Sequence, residues 1–93
     1  MIADYTKAIE INPRDADAYY NRALAKDDLK DYYGAIADYT KSIEISPAAD
    51  AYLNRSLLKE EIGDLYGACF DAKKAFNLGD RNSDNKTWIR NNC

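Results

Sequence analysis

The sequence predicts an all-α fold, an α-solenoid of antiparallel helix-turn-helix units. Residues 2–13 return almost letter for letter as residues 36–47, an offset of 34 positions, and residues 19–26 return as residues 52–59, an offset of 33. Within the repeated regions, apolar residues recur at helical spacing, and proline or glycine marks several of the helix ends. A repeat of this length is typical of stacked supersecondary units, none of which buries its apolar face alone.

The first three helices are predicted from this spacing. Residues 2–11 form the first helix, which ends before Pro13. Residues 17–30 form the second, with Asp15 or Asp17 as its N-cap, and residues 33–45 form the third, with Asp31 as its N-cap and Pro47 beyond its end. Because only a few residues connect the second and third helices, the two must be antiparallel neighbours.

The second half of the chain repeats this organisation. Helices are predicted at about residues 50–62 and 66–78, the first ended by Gly63 and Asp64 and the second by Gly79 in a C-terminal capping position. Residues 80–85 are polar and are predicted to form a loop, and a short helix at residues 86–90 follows. This helix carries the single tryptophan, Trp88, which we interpret as a hydrophobic lid over the last repeat.

Composition excludes several classes of function. With 13 basic and 16 acidic residues and a pI near 4.8, the chain lacks the positive charge that attracts nucleic acid or an anionic membrane. No apolar run is long enough to span a bilayer, and the start of the sequence does not resemble a signal peptide, so we predict a cytoplasmic protein. There is no histidine, no phosphate-binding glycine loop and no nucleophile motif, so we predict no catalysis, no metal and no cofactor.

The two cysteines leave two alternatives open. Cys69 fits a small buried residue on an apolar helix face, and it also fits a disulfide partner of the terminal Cys93.

The repeated residues resemble the tetratricopeptide repeat family, whose 34-residue unit follows the pattern W-x2-L-G-x2-Y, then A-x3-F, then P. A first full unit at residues 16–49 carries Tyr19 at the tryptophan place, Ala23 at the glycine place, Ala35 and Tyr39 for A-x3-F, and Pro47 at the close. A second unit at residues 50–80 matches less completely, through Tyr52, Ser56, Ala68 and Ala75. A half unit at residues 2–13 precedes them and a capping helix or tail at residues 86–93 follows, so the resemblance implies one domain over residues 1–93, starting inside a repeat.

Basic residues replace two apolar places of the pattern. Arg22 and Arg55 stand where leucine is usual, and lysines 26 and 59 stand where tyrosine is usual. Since an aspartate lies 17 to 19 residues before each of Arg22, Arg55 and Arg90, we predict ion pairs with the preceding helix: Asp4 with Arg22, Asp38 with Arg55, and Asp71 with Arg90. The alternative is that the arginines contact a ligand.

The resemblance also implies a binding surface. In this family the first helix of each unit lines a groove that commonly receives a peptide. The residues that carry over to this surface are Tyr20, Asn21, Leu24 and Asp28 from one helix, and Leu53, Asn54, Leu57 and Glu61 from the next. With Asp27 and Glu60 beside them the surface is acidic, which disfavours the lysine and arginine clamp by which some relatives hold a carboxylate, and favours a basic and hydrophobic peptide.

Two functions follow from these patterns. The first is a non-catalytic scaffold for protein-protein interaction. The alternative is a self-associating piece that forms a homodimer through its incomplete first repeat, because Ile2, Tyr5 and Ile9 form an apolar stripe on the first helix.

Overall fold

The computed structural model describes all 93 residues, which form six α-helices and no β-strand. The helices are α1 (Ile2–Ile11), α2 (Ala16–Asp28), α3 (Tyr32–Ile45), α4 (Ala49–Glu61), α5 (Leu65–Asn77) and α6 (Ser83–Asn92). The first five lie where the sequence predicts them, with ends that differ by at most two residues. None of the six is both long and apolar enough to span a bilayer.

The chain divides into two compact units, residues 1–47 with α1, α2 and α3, and residues 48–93 with α4, α5 and α6. In the first unit α2 packs against α1 and α3, and in the second α5 packs against α4 and α6. Short connections at residues 29–31 and 62–64 make α2 and α3, and likewise α4 and α5, antiparallel pairs.

Small residues lie where the paired helices approach each other. Ala23 of α2 and Ala35 of α3 are completely buried in the first unit, as is Ala68 of α5 in the second. Ser56, which takes the place of Ala23 in the second repeat, is also buried, and its hydroxyl donates to the carbonyl oxygen of Ala68 at 2.7 Å. A larger side chain at these positions overfills a packed site.

The α2–α3 and α4–α5 turns share one hydrogen-bonding pattern. In the first, the N–H of Asp31 donates to the carbonyl of Lys26, and in the second the N–H of Asp64 donates to the carbonyl of Lys59, as in a Schellman C-cap. The residue before each aspartate is left-handed, with φ of 63° at Lys30 and 87° at Gly63. Glycine adopts this conformation at no steric cost, whereas lysine adopts it only at a steric cost.

We therefore expect Lys30→Gly to raise the free energy of unfolding by about 0.5–1 kcal/mol. The left-handed conformation costs a non-glycine residue about 1–2 kcal/mol, which exceeds the additional chain entropy that glycine loses on folding, about 0.5–1 kcal/mol. Urea unfolding followed by circular dichroism measures the change. The matched control is Gly63→Ala, where added bulk would meet no atom, so a loss of about 1 kcal/mol reports the backbone conformation alone. An unchanged or lower stability of Lys30→Gly would contradict this account.

The final helix is longer than the sequence predicts. It begins at Ser83 rather than at residue 86, because Asn82 caps it by accepting a hydrogen bond from the N–H of Asp84 at 2.8 Å. Asn85, predicted to lie in a loop, is buried in the helix, and its side-chain amide donates to the carbonyl of Ala72 in α5 at 3.2 Å.

A disulfide joins Cys69 of α5 to Cys93, the residue that follows the last turn of α6. Of the two alternatives left open by the sequence, the structure therefore has the bonded one. The bond closes the end of α6 onto α5, while the Asn85 hydrogen bonds hold the beginning of α6 on the same helix.

Candidate functional site

A buried ion cluster joins α4 to α5 in the second unit. Asp71 is fully buried, and both of its carboxylate oxygens accept hydrogen bonds from Arg55, from Nε at 2.8 Å and from Nη2 at 2.7 Å. The ammonium group of Lys59 lies 3.1 Å from Oδ2 of Asp71. The guanidinium of Arg55 also stacks over the ring of Tyr52, at 5.4 Å from the ring centre. One carboxylate thus faces two cations, in a two-pronged geometry that fixes the arginine.

The first unit contains the same cluster. Asp38 accepts hydrogen bonds from Nε and Nη2 of Arg22 at 2.7 and 2.8 Å, and Lys26 lies 3.1 Å from its Oδ2 atom. Burial alone raises the pKa of Asp38, but the hydrogen bonds from Arg22 and Lys26 outweigh it, and the pKa lies below its usual value. Arg22 also donates to Thr6 of α1 at 3.3 Å, so its side chain connects all three helices of the unit.

These clusters correct the predicted ion pairs. Each arginine pairs with the aspartate of the following helix in its own unit, 16 residues later, and not with the aspartate of the preceding helix. Asp4 is exposed and lies 3.5 Å from the terminal amine, and Arg90 is exposed while Asp71 is occupied by Arg55 and Lys59. The reason is the hairpin itself, in which side chains of two antiparallel helices face each other. Both arginines are therefore engaged in helix packing.

In the first unit, the predicted binding residues lie on α2. Leu24 is 38% exposed, and Asn21 is half-buried. Tyr20 is half-buried because its ring packs edge-on against Tyr39 of α3, with ring centres 5.6 Å apart. Asp28 is exposed and borders a depression beside α1. This face of α2 thus presents one accessible apolar side chain with polar residues around it.

In the second unit, the predicted residues lie on α4 and two of them border a cleft. Leu57 is 56% exposed and Leu53 is half-buried, while Asn54 is half-buried and Glu61 is exposed. The cleft, of about 270 Å³, lies between α4 and α6, and it is lined by Leu53, Ser56, Leu57, Asn82, Asp84, Asn85 and Trp88.

The α6 side of this cleft was not among the predicted site residues. Trp88 is half-buried, and its indole N–H donates to the carboxylate of Glu60 in α4 at 2.8 Å. Trp88 therefore contacts the last full repeat, which agrees with its interpretation as a lid. Its ring also forms one wall of the cleft. The isolated tryptophan was the one sequence signal that pointed to this region.

Other depressions are open and apolar. One, of about 470 Å³, lies in the second unit beside the disulfide and is lined by Leu65, Tyr66 and Phe70 of α5, all of which are exposed. Another, of about 320 Å³, lies in the first unit beside Met1, Ile2 and Leu29. No group of three or more histidine, cysteine, aspartate or glutamate side chains comes together in a way that could hold a metal ion.

The residues proposed for a homodimer are partly covered within the chain. Ile2, Tyr5 and Ile9 are all half-buried, because α1 packs against α2. The most exposed apolar side chains of this region are instead Met1 and Ile11. The stripe is thus less open than the sequence suggests, and the dimer stays a prediction.

Comparison with known proteins identifies the fold. A family model described as "Tetratricopeptide repeat" matches residues 16–48, and a second, described as "TPR repeat", matches residues 2–26. The solved TPR domain of Arabidopsis OM64 is 32% identical, with a TM-score of 0.88 over 97% of this chain and 75% of that one. The first TPR of Spaghetti (RPAP3), solved with the HSP90 peptide SRMEEVD, is 24% identical, with a TM-score of 0.88 over 97% of this chain and 72% of that one. No curated protein matches the chain in a sequence comparison.

These findings define an all-α repeat protein built from helix pairs. Proteins of this class serve in protein-protein interaction. The chain belongs to the tetratricopeptide repeat family. The fold class predicted from the sequence is confirmed.

Proposed function

We propose that this chain is a non-catalytic scaffold that binds a peptide or a protein segment through the faces of α2 and α4. The observation that carries the proposal is the cleft of the second unit, which is lined by exposed Leu57 and by Trp88, with acidic Asp84 beside them. Clefts that are mostly apolar and have a few polar groups at their border are typical binding sites. Arg55 and Lys59, the arginine and lysine of α4, are already paired with Asp71, and no lysine or arginine lines the cleft.

The charge of the face determines which peptides we expect. Glu60, Glu61 and Asp84 lie on or beside the cleft, so an acidic peptide end is repelled and a basic segment is attracted. The peptide bound to the RPAP3 domain, SRMEEVD, contains three acidic residues. We expect this chain to bind that peptide weakly or not at all, despite the similar fold.

Selection from a peptide library tests the proposal. A random library of twelve-residue peptides is displayed on phage and selected against the chain, and the selected peptides are measured by isothermal titration. Changing Asn21 and Asn54 to alanine and Leu24 and Leu57 to serine is expected to lower their affinity by about tenfold or more, because contacts at the centre of an interface carry most of its energy.

The control variant changes two apolar residues that are at least as exposed and lie on other helices. Tyr33 of α3 and Tyr66 of α5 are 72% and 89% exposed, so replacing both with serine tests for nonspecific adhesion to apolar surface. The proposal requires the control to bind as the unaltered chain does. Unchanged binding by the variant of Asn21, Leu24, Asn54 and Leu57, or loss of binding only in the control, would contradict the proposal.

The alternative function is self-association through α1. The observation in its favour is the open apolar depression beside Met1, Ile2 and Leu29. Sedimentation equilibrium over a wide concentration range distinguishes the two functions, since a scaffold for other proteins stays monomeric. A dimer that dissociates when Ile2 and Leu29 are changed to serine would support the alternative.

A further inference from the structure

We propose that the cleft between α4 and α6 holds one bulky apolar side chain of the partner, next to a lysine or arginine that pairs with Asp84. This inference rests on the proposed function and identifies which part of the peptide enters which part of the site. It uses one unit only, residues 48–93, in which both walls of the cleft lie.

The size of the cleft suits a single side chain. Its volume of about 270 Å³ is just below the range of about 300–1,000 Å³ that is typical of sites for whole small molecules. The aliphatic side chains of Leu53 and Leu57 form one wall and the indole of Trp88 forms another, so an inserted aromatic or long aliphatic group is covered by apolar atoms.

Two of the polar side chains that line the cleft, those of Ser56 and Asn85, already have hydrogen-bond partners. The hydroxyl of Ser56 donates to the carbonyl of Ala68, and the side-chain amide of Asn85 donates to the carbonyl of Ala72 and to Asp80. Both residues are buried, so none of these donors is free to bind a polar ligand group. A polar side chain placed here would lose its hydrogen bonds to water without replacement, whereas an apolar one would not.

The walls are held in position before any ligand binds. The indole N–H of Trp88 is bonded to Glu60, the start of α6 is held by Asn85, and its end is held by the disulfide. A site that is already ordered loses little conformational entropy when it binds.

The charge at the border selects the neighbouring residue of the partner. Asp84 lines the cleft and is exposed, and no lysine or arginine lines it. Glu60, bonded to Trp88, and Glu61, one residue further along, add negative charge on the α4 side. A cation next to the apolar anchor is therefore favoured, and the attraction weakens as salt rises.

The experiment uses a blocked five-residue peptide of sequence glycine-lysine-phenylalanine-lysine-glycine and the full chain. Binding is followed by Trp88 fluorescence, because Trp88 is the only tryptophan and forms a wall of the cleft, and by nuclear magnetic resonance shifts of backbone amides. Replacing phenylalanine of the peptide with alanine, or Leu57 of the chain with serine, is expected to lower the affinity about tenfold or more. Asp84→Asn is expected to lower it about two- to fivefold at low salt and to have no effect at 1 M salt.

Four outcomes would overturn the inference: no binding of the probe, binding that Leu57→Ser leaves unchanged, equal binding of a peptide with glutamate in place of lysine, or a dimer of the chain that Leu57→Ser dissociates. In the last case the occupant is a second copy of the chain. If the library peptides lose affinity for the variant of Asn21, Leu24, Asn54 and Leu57 but keep their affinity for Leu57→Ser and Asp84→Asn, the proposed function stands and this inference fails. Circular dichroism checks that each variant folds. We expect both to fold, because Leu57 and Asp84 are exposed.

Discussion

Replacing Asp71 with alanine is expected to lower the free energy of unfolding by about 3–5 kcal/mol. Asp71 is fully buried and is the shared partner of Arg55 and Lys59, whose side chains are also mostly buried. Removing the carboxylate leaves two cations in the packed region between α4 and α5 without an anion, and this loss of compensation is far more costly than the loss of a surface pair. Small domains have a total stability of about 5–15 kcal/mol, so the change is a large fraction of the whole.

Urea unfolding followed by circular dichroism measures the effect, and two further variants keep the test informative if Asp71→Ala does not fold. Asp71→Asn preserves the shape of the side chain and removes its charge, so it is expected to destabilise the chain in the same direction. The triple variant with Arg55→Met, Lys59→Met and Asp71→Leu removes all three charges and is expected to recover most of the loss, because apolar groups of similar volume often replace a buried ion cluster without cost. A loss below 1 kcal/mol in Asp71→Ala, as for an exposed pair, would contradict the account.

The helices could be predicted from the sequence because local signals agree with one another. The repeat at an offset of 33 to 34 residues set the size of the unit, and proline, glycine and the capping aspartates marked the helix ends. The partner of each arginine could not be predicted in this way. Asp38 lies 16 residues after Arg22, and Asp4 lies 18 residues before it, so sequence distance alone does not separate the two. The packing of α2 against α3 determines that Arg22 pairs with Asp38.

The candidate site was predicted only in part. Leu53 and Leu57 were predicted because the resemblance to the tetratricopeptide repeat family assigns them to the groove-facing helix of the second unit. Trp88, Asp84 and Asn85 belong to α6, and their approach to α4 depends on how α6 packs against α5, a contact between elements that no local pattern encodes. The start of α6 was missed for a simpler reason, since residues 80–85 are rich in asparagine and aspartate, which favour both loops and helix caps.

Reducing the Cys69–Cys93 disulfide is expected to lower the free energy of unfolding by about 3 kcal/mol and to loosen α6. The two cysteines are 24 residues apart in sequence, and closing a loop of this length removes about that much chain entropy from the unfolded state. A dithiol reductant supplies the two electrons and two protons that convert the bond into two thiols. Once the end of α6 is released, its first turn remains held by Asn85, and the Trp88 to Glu60 hydrogen bond is exposed to solvent and easily lost.

The fluorescence of Trp88 reports this change, because no other tryptophan contributes. We expect its emission to shift to longer wavelength on reduction, and the affinity for the lysine-phenylalanine-lysine probe to fall by about tenfold, since the cleft loses the wall that α6 provides. The control is the double variant Cys69→Ser and Cys93→Ser, which should resemble the reduced chain with or without reductant. An emission spectrum and a urea midpoint that are the same in both redox states would contradict the prediction.

Disulfides persist mainly in oxidising compartments. If the chain resides in the cytoplasm, as its sequence predicts, peptide binding must therefore be measured with the reduced chain. The difference in affinity between the oxidised and the reduced chain then measures how much the cleft depends on the disulfide.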